Sequence, residues 1–423
     1  YRSEIYHSGD KIDYYLKYYI LSISIFLSSI IIIFLSDNFK LIVSIILIST
    51  LSSFYLIETY LFINSKQFKI FISDVNYDYR TQFEAYEDLK TKEKNAVSTI
   101  GPVHSLKLQN QEIFPLSGIS KRKTLLCNEN GYFAYYESDR FGFNNPDHEW
   151  DKKKIKFLIT GDSFAQGWCV KREDSIAGIL RNRYEKEGVI TLGHVGNGPL
   201  INYAALREYL FLVKPEKVLW MHFEADDLSG NYFQGLKQEI KNEILKKYLS
   251  DLEFDQKLNK KQKQVDIAVH NVLDTMVEEY KTAGKSYKDF RYSFLKFIKL
   301  FNFRIILNSK KNQLQNKNKD DIQKITPEFE QIMKLVKKIV YENNAELYFI
   351  FLPELKRYKY NYNNDESFND YKNVIEFIKS LNIPVIDLHK EIFVKHKKPS
   401  ILFPWETDIH YTVEGYELVT KAI

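Results

Sequence analysis

Two long apolar runs open the chain, and neither has the polar stripe that marks a helix packed on a core. The first, Tyr18–Ser36, is 19 residues without a charge. The second, Leu41–Ile57, continues past Glu58 to Ile63. Each run is near the ~20 residues that cross a bilayer core about 30 Å thick, whereas a secretory signal has one shorter apolar region. We predict a transmembrane helical hairpin over residues 18–64, and the alternative is a pair of buried core helices.

Basic residues lie mainly on the two outer flanks of the hairpin. Lys40 is in the turn, and the others near the hairpin are Arg2, Lys11, Lys17, Lys66 and Lys69. The positive-inside rule then favours cytoplasmic ends, although the excess is small. Because the chain begins at Tyr1 rather than Met, we expect a longer natural protein. A further span before residue 1 would reverse this orientation, so the side of the membrane stays open.

The chain changes character after residue 150. Short apolar runs rich in β-branched and aromatic residues alternate there with stretches of helical periodicity. The runs are Ile155–Thr160, Val189–Leu192, Lys217–Phe223, Glu346–Leu352 and Pro384–Leu388. Continuous apolar strands separated by helices predict an α/β domain whose parallel sheet is covered on both faces. We assign it to residues 151–423.

The remaining segments are more polar. Residues 1–17 form an N-terminal flank, and we expect residues 65–150 to be a membrane-proximal segment that packs on the α/β domain. Residues 230–325 are rich in Lys, Asn and Gln and predict a helical insertion between the third and fourth strands. The basic run Leu258–Val265 is typical of a solvated helix face, and contact with a polyanion is the alternative.

The amino-acid composition narrows the range of possible functions. The 60 basic and 55 acidic residues give a net charge of only +5, so we expect no nucleic-acid partner. Two cysteines, Cys127 and Cys169, exclude a zinc site built from four thiolates. They could pair, which would indicate an oxidising compartment, or Cys169 could be a free thiol. The histidines lack metal-ligand spacing, and we expect neither a metal nor a cofactor.

Candidate chemistry lies after the strands, where sites form in parallel sheets. Gly161-Asp162-Ser163 follows the first strand, and the glycine-rich turn Gly193–Pro199 follows the second. Glu224–Leu228 follows the third, and Asp408-Ile409-His410 comes near the end. A serine at a strand-to-helix turn has an exposed hydroxyl, and a histidine with an adjacent carboxylate supplies a general base.

This order of motifs resembles the SGNH (GDSL) hydrolase superfamily over roughly residues 125–423, apart from the insertion. The resemblance implies a three-layer α/β/α fold with a five-stranded parallel sheet. It implies Ser163 as nucleophile, His410 as general base and Asp408 as the residue that orients His410. The backbone N–H groups of Ser163 and Gly196 would form the oxyanion hole, with Asp226 at the position of the third donor.

The stretch Asp139–Pro146 looks like the membrane-anchored bacterial branch of that superfamily, which is often linked to acyl modification of surface polysaccharide or lipid. The resemblance therefore implies an integral protein of the bacterial inner membrane. It would be a serine esterase or O-acyltransferase acting on an acyl ester of a glycan, a lipid or a small molecule. The alternative is a catalytically weakened module that binds a glycan or a protein of a polysaccharide pathway.

Two departures from the family pattern matter. Family members have Asn where this chain has Asp226, and an ionised carboxylate cannot donate a hydrogen bond to an oxyanion. Three outcomes remain possible at this position. Asp226 could be protonated and so donate, Asn231 could take its place, or the site could be catalytically degenerate. The motif Asp408-x-His410 is also one residue shorter than usual, which leaves Asp387 and Glu406 as fallback partners for His410.

Overall fold

The structure is a computed structural model that describes residues 12–73, 75–108, 112–224, 235–282, 295–307, 325–359 and 367–423. It divides into two compact units. Described residues 12–64 and 295–307 form the hairpin unit, and the other described residues form the α/β unit.

Two apolar helices dominate the hairpin unit, α1 (Ile12–Ile33) and α2 (Asp37–Ile63). Both are long and apolar enough to cross a membrane. Their apolar side chains are almost all exposed, as at Phe26 and Phe34. Core helices would bury these groups, so the alternative of two core helices does not fit the described residues.

Residues 295–307, which we expected within the polar insertion, pack on the last turns of α2. The fully buried carboxylate of Glu58 accepts hydrogen bonds from the Asn302 and Phe303 backbone N–H groups at 3.1 and 2.9 Å. The Tyr55 hydroxyl donates to the Ile298 carbonyl at 3.1 Å. The predicted insertion therefore does not form a single compact unit, because residues 295–307 belong to the hairpin unit.

The α/β unit begins with two helices, α3 (Lys66–Ile72) and α4 (Gln82–Lys92). A capping box at Thr81 and Glu84 begins α4. A small mixed sheet follows, made of β1 (Val97–Ser98), β2 (Lys123–Leu125) and β3 (Tyr135–Glu137) in the order β1-β2-β3.

The main sheet has five parallel strands in the order β5-β4-β6-β7-β8. They are β4 (Ile155–Thr160), β5 (Gly188–Thr191), β6 (Lys217–Phe223), β7 (Glu346–Leu352) and β8 (Val385–Asp387). The sequence predicted the bounds of β4, β6 and β7. It placed β5 one residue late and made β8 one residue too long at each end.

Helices cover both faces of this sheet. In chain order they are α5 (Ser163–Gln166), α6 (Ile176–Arg183), α7 (Pro199–Tyr209), α8 (Gly235–Glu239), α9 (Glu243–Ser250), α10 (Gln262–Thr282), α11 (Pro327–Glu342), α12 (Lys356–Lys359), α13 (Ser367–Ser380) and α14 (Val413–Ala422). Neighbouring strand residues point to opposite faces. Leu158 joins the core under α7, α11 and α13, whereas Phe157 and Ile159 join the core under α6 and α14. The predicted three-layer α/β/α fold is confirmed.

Candidate active site

Ser163 lies at the carboxyl end of β4, in a turn that the local sequence enforces. Gly161 has a φ of +154°, and a Cβ there would lie 2.6 Å from the Met221 Cβ. The Asp162 carboxylate accepts a hydrogen bond from the Phe164 N–H at 2.9 Å, and Ser163 then begins the one-turn helix α5. Gly167 ends that helix at a φ of +84°. The turn presents Ser163 at the edge of the sheet where the other motifs meet.

His410 meets Ser163 at this edge. The Ser163 Oγ and the His410 Nε2 are 2.8 Å apart, although 247 positions separate them in the chain. Both side chains are buried, and the Phe164 ring lies 4.9 Å from the imidazole between ring centres. His410 lies two residues before Thr412, the N-cap of α14, whose side chain accepts a hydrogen bond from the Gly415 N–H. The structure thus brings the predicted nucleophile and base into direct contact.

The carboxylate on the other side of the imidazole is Glu129. Its two oxygens lie 2.9 and 3.0 Å from the His410 Nδ1. The prediction that Asp408 orients His410 is corrected, because the Asp408 carboxylate turns to the Lys66 Nζ at 2.5 Å. The fallback partners have other contacts: the Tyr371 hydroxyl donates to Asp387, and the Ser400 hydroxyl donates to Glu406.

A disulfide fastens the segment that carries Glu129 to the segment that follows Ser163. Cys127 and Cys169 are bonded, which answers the question of whether Cys169 is a free thiol. The Asn130 side chain donates to the Cys169 carbonyl at 3.1 Å, and the Trp405 indole N–H donates to the Glu129 carbonyl at 2.6 Å. These anchors hold the Glu129 backbone beside the imidazole.

Glu129 was not predicted from the sequence, because it belongs to none of the recognised motifs. It lies in the membrane-proximal segment, 281 positions from His410. One signal was available, since pairing Cys127 with Cys169 would have brought residue 129 within a few positions of the serine turn. The sequence left that pairing open.

Two carboxylates share the surroundings of His410. The pKa of Asp408 is raised to about 6, chiefly by burial and then by the negative charge of Glu129, while the Lys66 ammonium acts in the opposite direction. Asp408 therefore changes charge close to neutral pH, and Lys66 balances part of the excess negative charge.

The glycine-rich turn after β5 packs directly on α5. A Cβ on Gly193 would lie 2.4 Å from the Ala165 Cβ, so only glycine fits this close approach. The Val195 N–H donates to the Gln166 side chain at 2.8 Å. Gly196 follows with a φ of +75°. Gly193 and Val195 of this turn therefore contact α5, the helix that begins at Ser163, and Gly196 is the next residue after Val195.

The third predicted donor cannot be placed. Asp226 and its substitute Asn231 lie outside the described residues. The last described residue of that turn, Glu224, is buried and forms an ion pair with Arg357. The described residues contain no group of three or more His, Cys, Asp or Glu side chains placed to hold a metal ion.

The fold and the site together define a three-layer α/β protein with a serine–histidine–glutamate arrangement at the carboxyl edge of its sheet. No protein-family model and no curated protein matches the chain. Solved structures do, including a lipolytic protein of the G-D-S-L family, a lipase/acylhydrolase and an acetyl xylan esterase.

Three such structures illustrate the similarity. A G-D-S-L family lipolytic protein from Desulfitobacterium hafniense is 14% identical, covers 64% of this chain and 97% of its own, and has a TM-score of 0.33. A lipase/acylhydrolase from Enterococcus faecalis is 12% identical over 63% and 92%, with a TM-score of 0.32. The acetyl xylan esterase AlAXEase is 11% identical over 63% and 97%, with a TM-score of 0.32. At these identities and TM-scores the similarity concerns the fold alone.

Proposed function

We propose that this chain is a membrane-anchored serine esterase or O-acyltransferase. One observation carries the proposal: the Ser163 Oγ lies 2.8 Å from the His410 Nε2, and Glu129 lies 2.9 Å from the Nδ1 of the same ring. A nucleophile, a base in contact with it and a carboxylate that orients the base are the three parts of acyl-transfer catalysis.

The chemistry follows from these contacts. Glu129 accepts the Nδ1–H, which leaves the Nε2 lone pair facing the Ser163 hydroxyl. The Oγ attacks the acyl carbonyl carbon while its proton passes to Nε2, and the backbone N–H groups of Ser163 and Gly196 stabilise the oxyanion. The intermediate collapses to an acyl-Ser163 ester, and the leaving alcohol takes the proton from His410. Water then releases the acid, or an acceptor alcohol takes the acyl group.

The Cys127–Cys169 disulfide indicates which side of the membrane the α/β unit faces. Disulfides persist on the oxidising side of a membrane, and Cys127–Cys169 holds the segment of Glu129. We give it more weight than the small excess of flanking basic residues, and we propose that the α/β unit faces the extracytoplasmic side. Esters of surface glycans or lipids are the substrates accessible there.

A binding module without catalysis is the second candidate, and Asp226 is the observation that favours it. Removing one oxyanion donor costs about 10²–10³ in rate. A carboxylate at that position would oppose the developing negative charge unless it were protonated.

Turnover of p-nitrophenyl acetate by the solubilised protein tests the proposal. We expect a measurable kcat that falls at least ~10⁴-fold in Ser163→Ala. The matched control is Ser250→Ala, at an exposed serine that ends α9, which should leave kcat unchanged. Folded wild-type protein that turns over no faster than Ser163→Ala would support the binding module.

A further inference from the structure

A mostly apolar cavity of about 280 Å³ lies within the α/β unit. Its walls come from α4, from residues 98–104 and from the C-terminal half of α10. None of these elements is a strand of the five-stranded sheet. Two further wall residues, Trp168 and Val195, come from the candidate active site.

Those two residues place the cavity next to the reacting groups. The Trp168 ring lies 6.0 Å from the His410 ring between centres, and the Trp168 backbone N–H donates to the Ser163 carbonyl at 3.0 Å. Val195 directly precedes Gly196, the predicted oxyanion donor. The cavity therefore adjoins the site on the side shared by the imidazole and the glycine-rich turn.

Several polar groups in the wall already have partners within the protein. The Gln82 amide donates to the Leu126 carbonyl and to the Ser98 hydroxyl at 2.5 and 3.2 Å. The His104 Nδ1 lies 3.1 Å from the Gly101 carbonyl, and burial lowers the pKa of His104, so its ring is neutral. A sugar would require several free hydrogen-bonding groups in this wall, whereas a hydrocarbon chain requires none.

We propose that this cavity binds the acyl chain of the substrate ester, and that the acyl group is an unbranched chain longer than acetyl. The inference rests on the proposed function and adds the substrate class. A volume of about 280 Å³ is at the lower end for small-molecule sites, which suits one chain and not a whole glycan. Leu273, Met276 and Val277 of α10 supply the apolar contacts.

Chain length is the first test. Each methylene that enters the cavity should raise kcat/KM about fourfold, so p-nitrophenyl hexanoate should exceed the acetate by about 10²-fold. Val277→Trp fills the cavity and should remove the advantage of the hexanoate over the acetate. The matched control is Ile267→Trp, because Ile267 is 62% exposed on the same helix, and it should change neither substrate.

A second variant guards against misfolding. Leu273→Ala enlarges the cavity and should shift the preferred substrate from hexanoate towards octanoate. Equal turnover of acetate and hexanoate by wild-type protein would overturn the proposal. So would a chain-length advantage that appears in the alcohol half, with hexyl acetate preferred over methyl hexanoate.

A binding experiment separates this inference from the proposed function. Calorimetric titration of Ser163→Ala protein in amphipol with methyl hexanoate requires no catalysis. We expect saturable binding to the Ser163→Ala protein. The double variant that also carries Val277→Trp should lose this binding, and the double variant that also carries Ile267→Trp should keep it. If this binding is found but the wild-type protein hydrolyses no ester, the cavity proposal stands and the proposed esterase function is refuted. If the wild-type protein hydrolyses esters without chain-length dependence and the Ser163→Ala protein does not bind methyl hexanoate, the esterase function stands and the cavity proposal is refuted.

Discussion

Replacing Glu129 by Gln is the most informative change in the candidate site. The two side chains have nearly the same size, so the segment fixed by the disulfide and by Trp405 is kept. What changes is the group 2.9 Å from the His410 Nδ1. A carboxylate can only accept the Nδ1–H, whereas an amide can also donate, which would turn the imidazole to the tautomer with its proton on Nε2.

The expected size of the effect follows from that contact. Loss of the corresponding carboxylate in serine-protease triads lowers kcat by about 10⁴, equivalent to about 5 kcal/mol in the activation barrier. Asp408 keeps a second negative charge in electrostatic contact with His410. We therefore expect a somewhat smaller fall for Glu129→Gln, about 10³-fold.

The assay is kcat for p-nitrophenyl acetate at pH 8, with Asp408→Asn as the matched control. Asp408 is the carboxylate nearest to His410 in sequence, but it is paired with Lys66. We expect Asp408→Asn to lower kcat less than tenfold. A larger fall for Asp408→Asn than for Glu129→Gln would refute the assignment of Glu129.

Three further predictions concern pH, redox state and the oxyanion hole. The folded pKa of Asp408, about 6, is above its ordinary 3.8, so its contribution to stability should fall as pH rises from about 4 to 6; thermal unfolding from pH 4 to 7 should show this slope in wild-type protein and lose it in Asp408→Asn. Reducing the Cys127–Cys169 disulfide should lower kcat about tenfold by loosening Glu129, and should have no further effect on Glu129→Gln; equal losses in both proteins would contradict the coupling. Asp226→Asn should raise esterase kcat towards the ~10²–10³ that one oxyanion donor contributes, and an unchanged or lower kcat would count against a weakened hole.

The sequence predicted the sheet well for a physical reason. The strands β4, β6 and β7 are mainly apolar, as strands buried on both faces require. Each has a charged residue at its first or second position, and Gly161, Glu224 and Pro353 follow their last residues. The short edge strand β8 is only half-buried. Its sequence carries a weaker signal, and its predicted ends were less accurate.

The site was predicted only as far as its motifs reach. Ser163 and His410 follow recognisable patterns at the ends of elements, and the structure brings them together. Glu129 has no such pattern, because its position depends on a disulfide and on hydrogen bonds from Asn130 and Trp405 that only the folded chain creates. Asp408 was assigned by its nearness in sequence, but its side chain pairs with Lys66 instead.

The same limit applies to residues 295–307. These residues are mostly apolar, with Lys296, Lys299, Asn302 and Arg304 as their polar members, and the Lys, Asn and Gln content averaged over residues 230–325 conceals this. The contacts that place them in the hairpin unit are made by single groups, including the Glu58 carboxylate and the Tyr55 hydroxyl. Composition averaged over a segment does not report such contacts.

The central claim is that His410 activates Ser163, and covalent labelling with a fluorophosphonate tests it most directly. The solubilised protein should be labelled on the peptide that contains Ser163, as read by mass spectrometry. Labelling should disappear in Ser163→Ala and slow at least 10²-fold in His410→Ala. Labelling at another serine, or equal labelling rates with and without His410, would contradict the account.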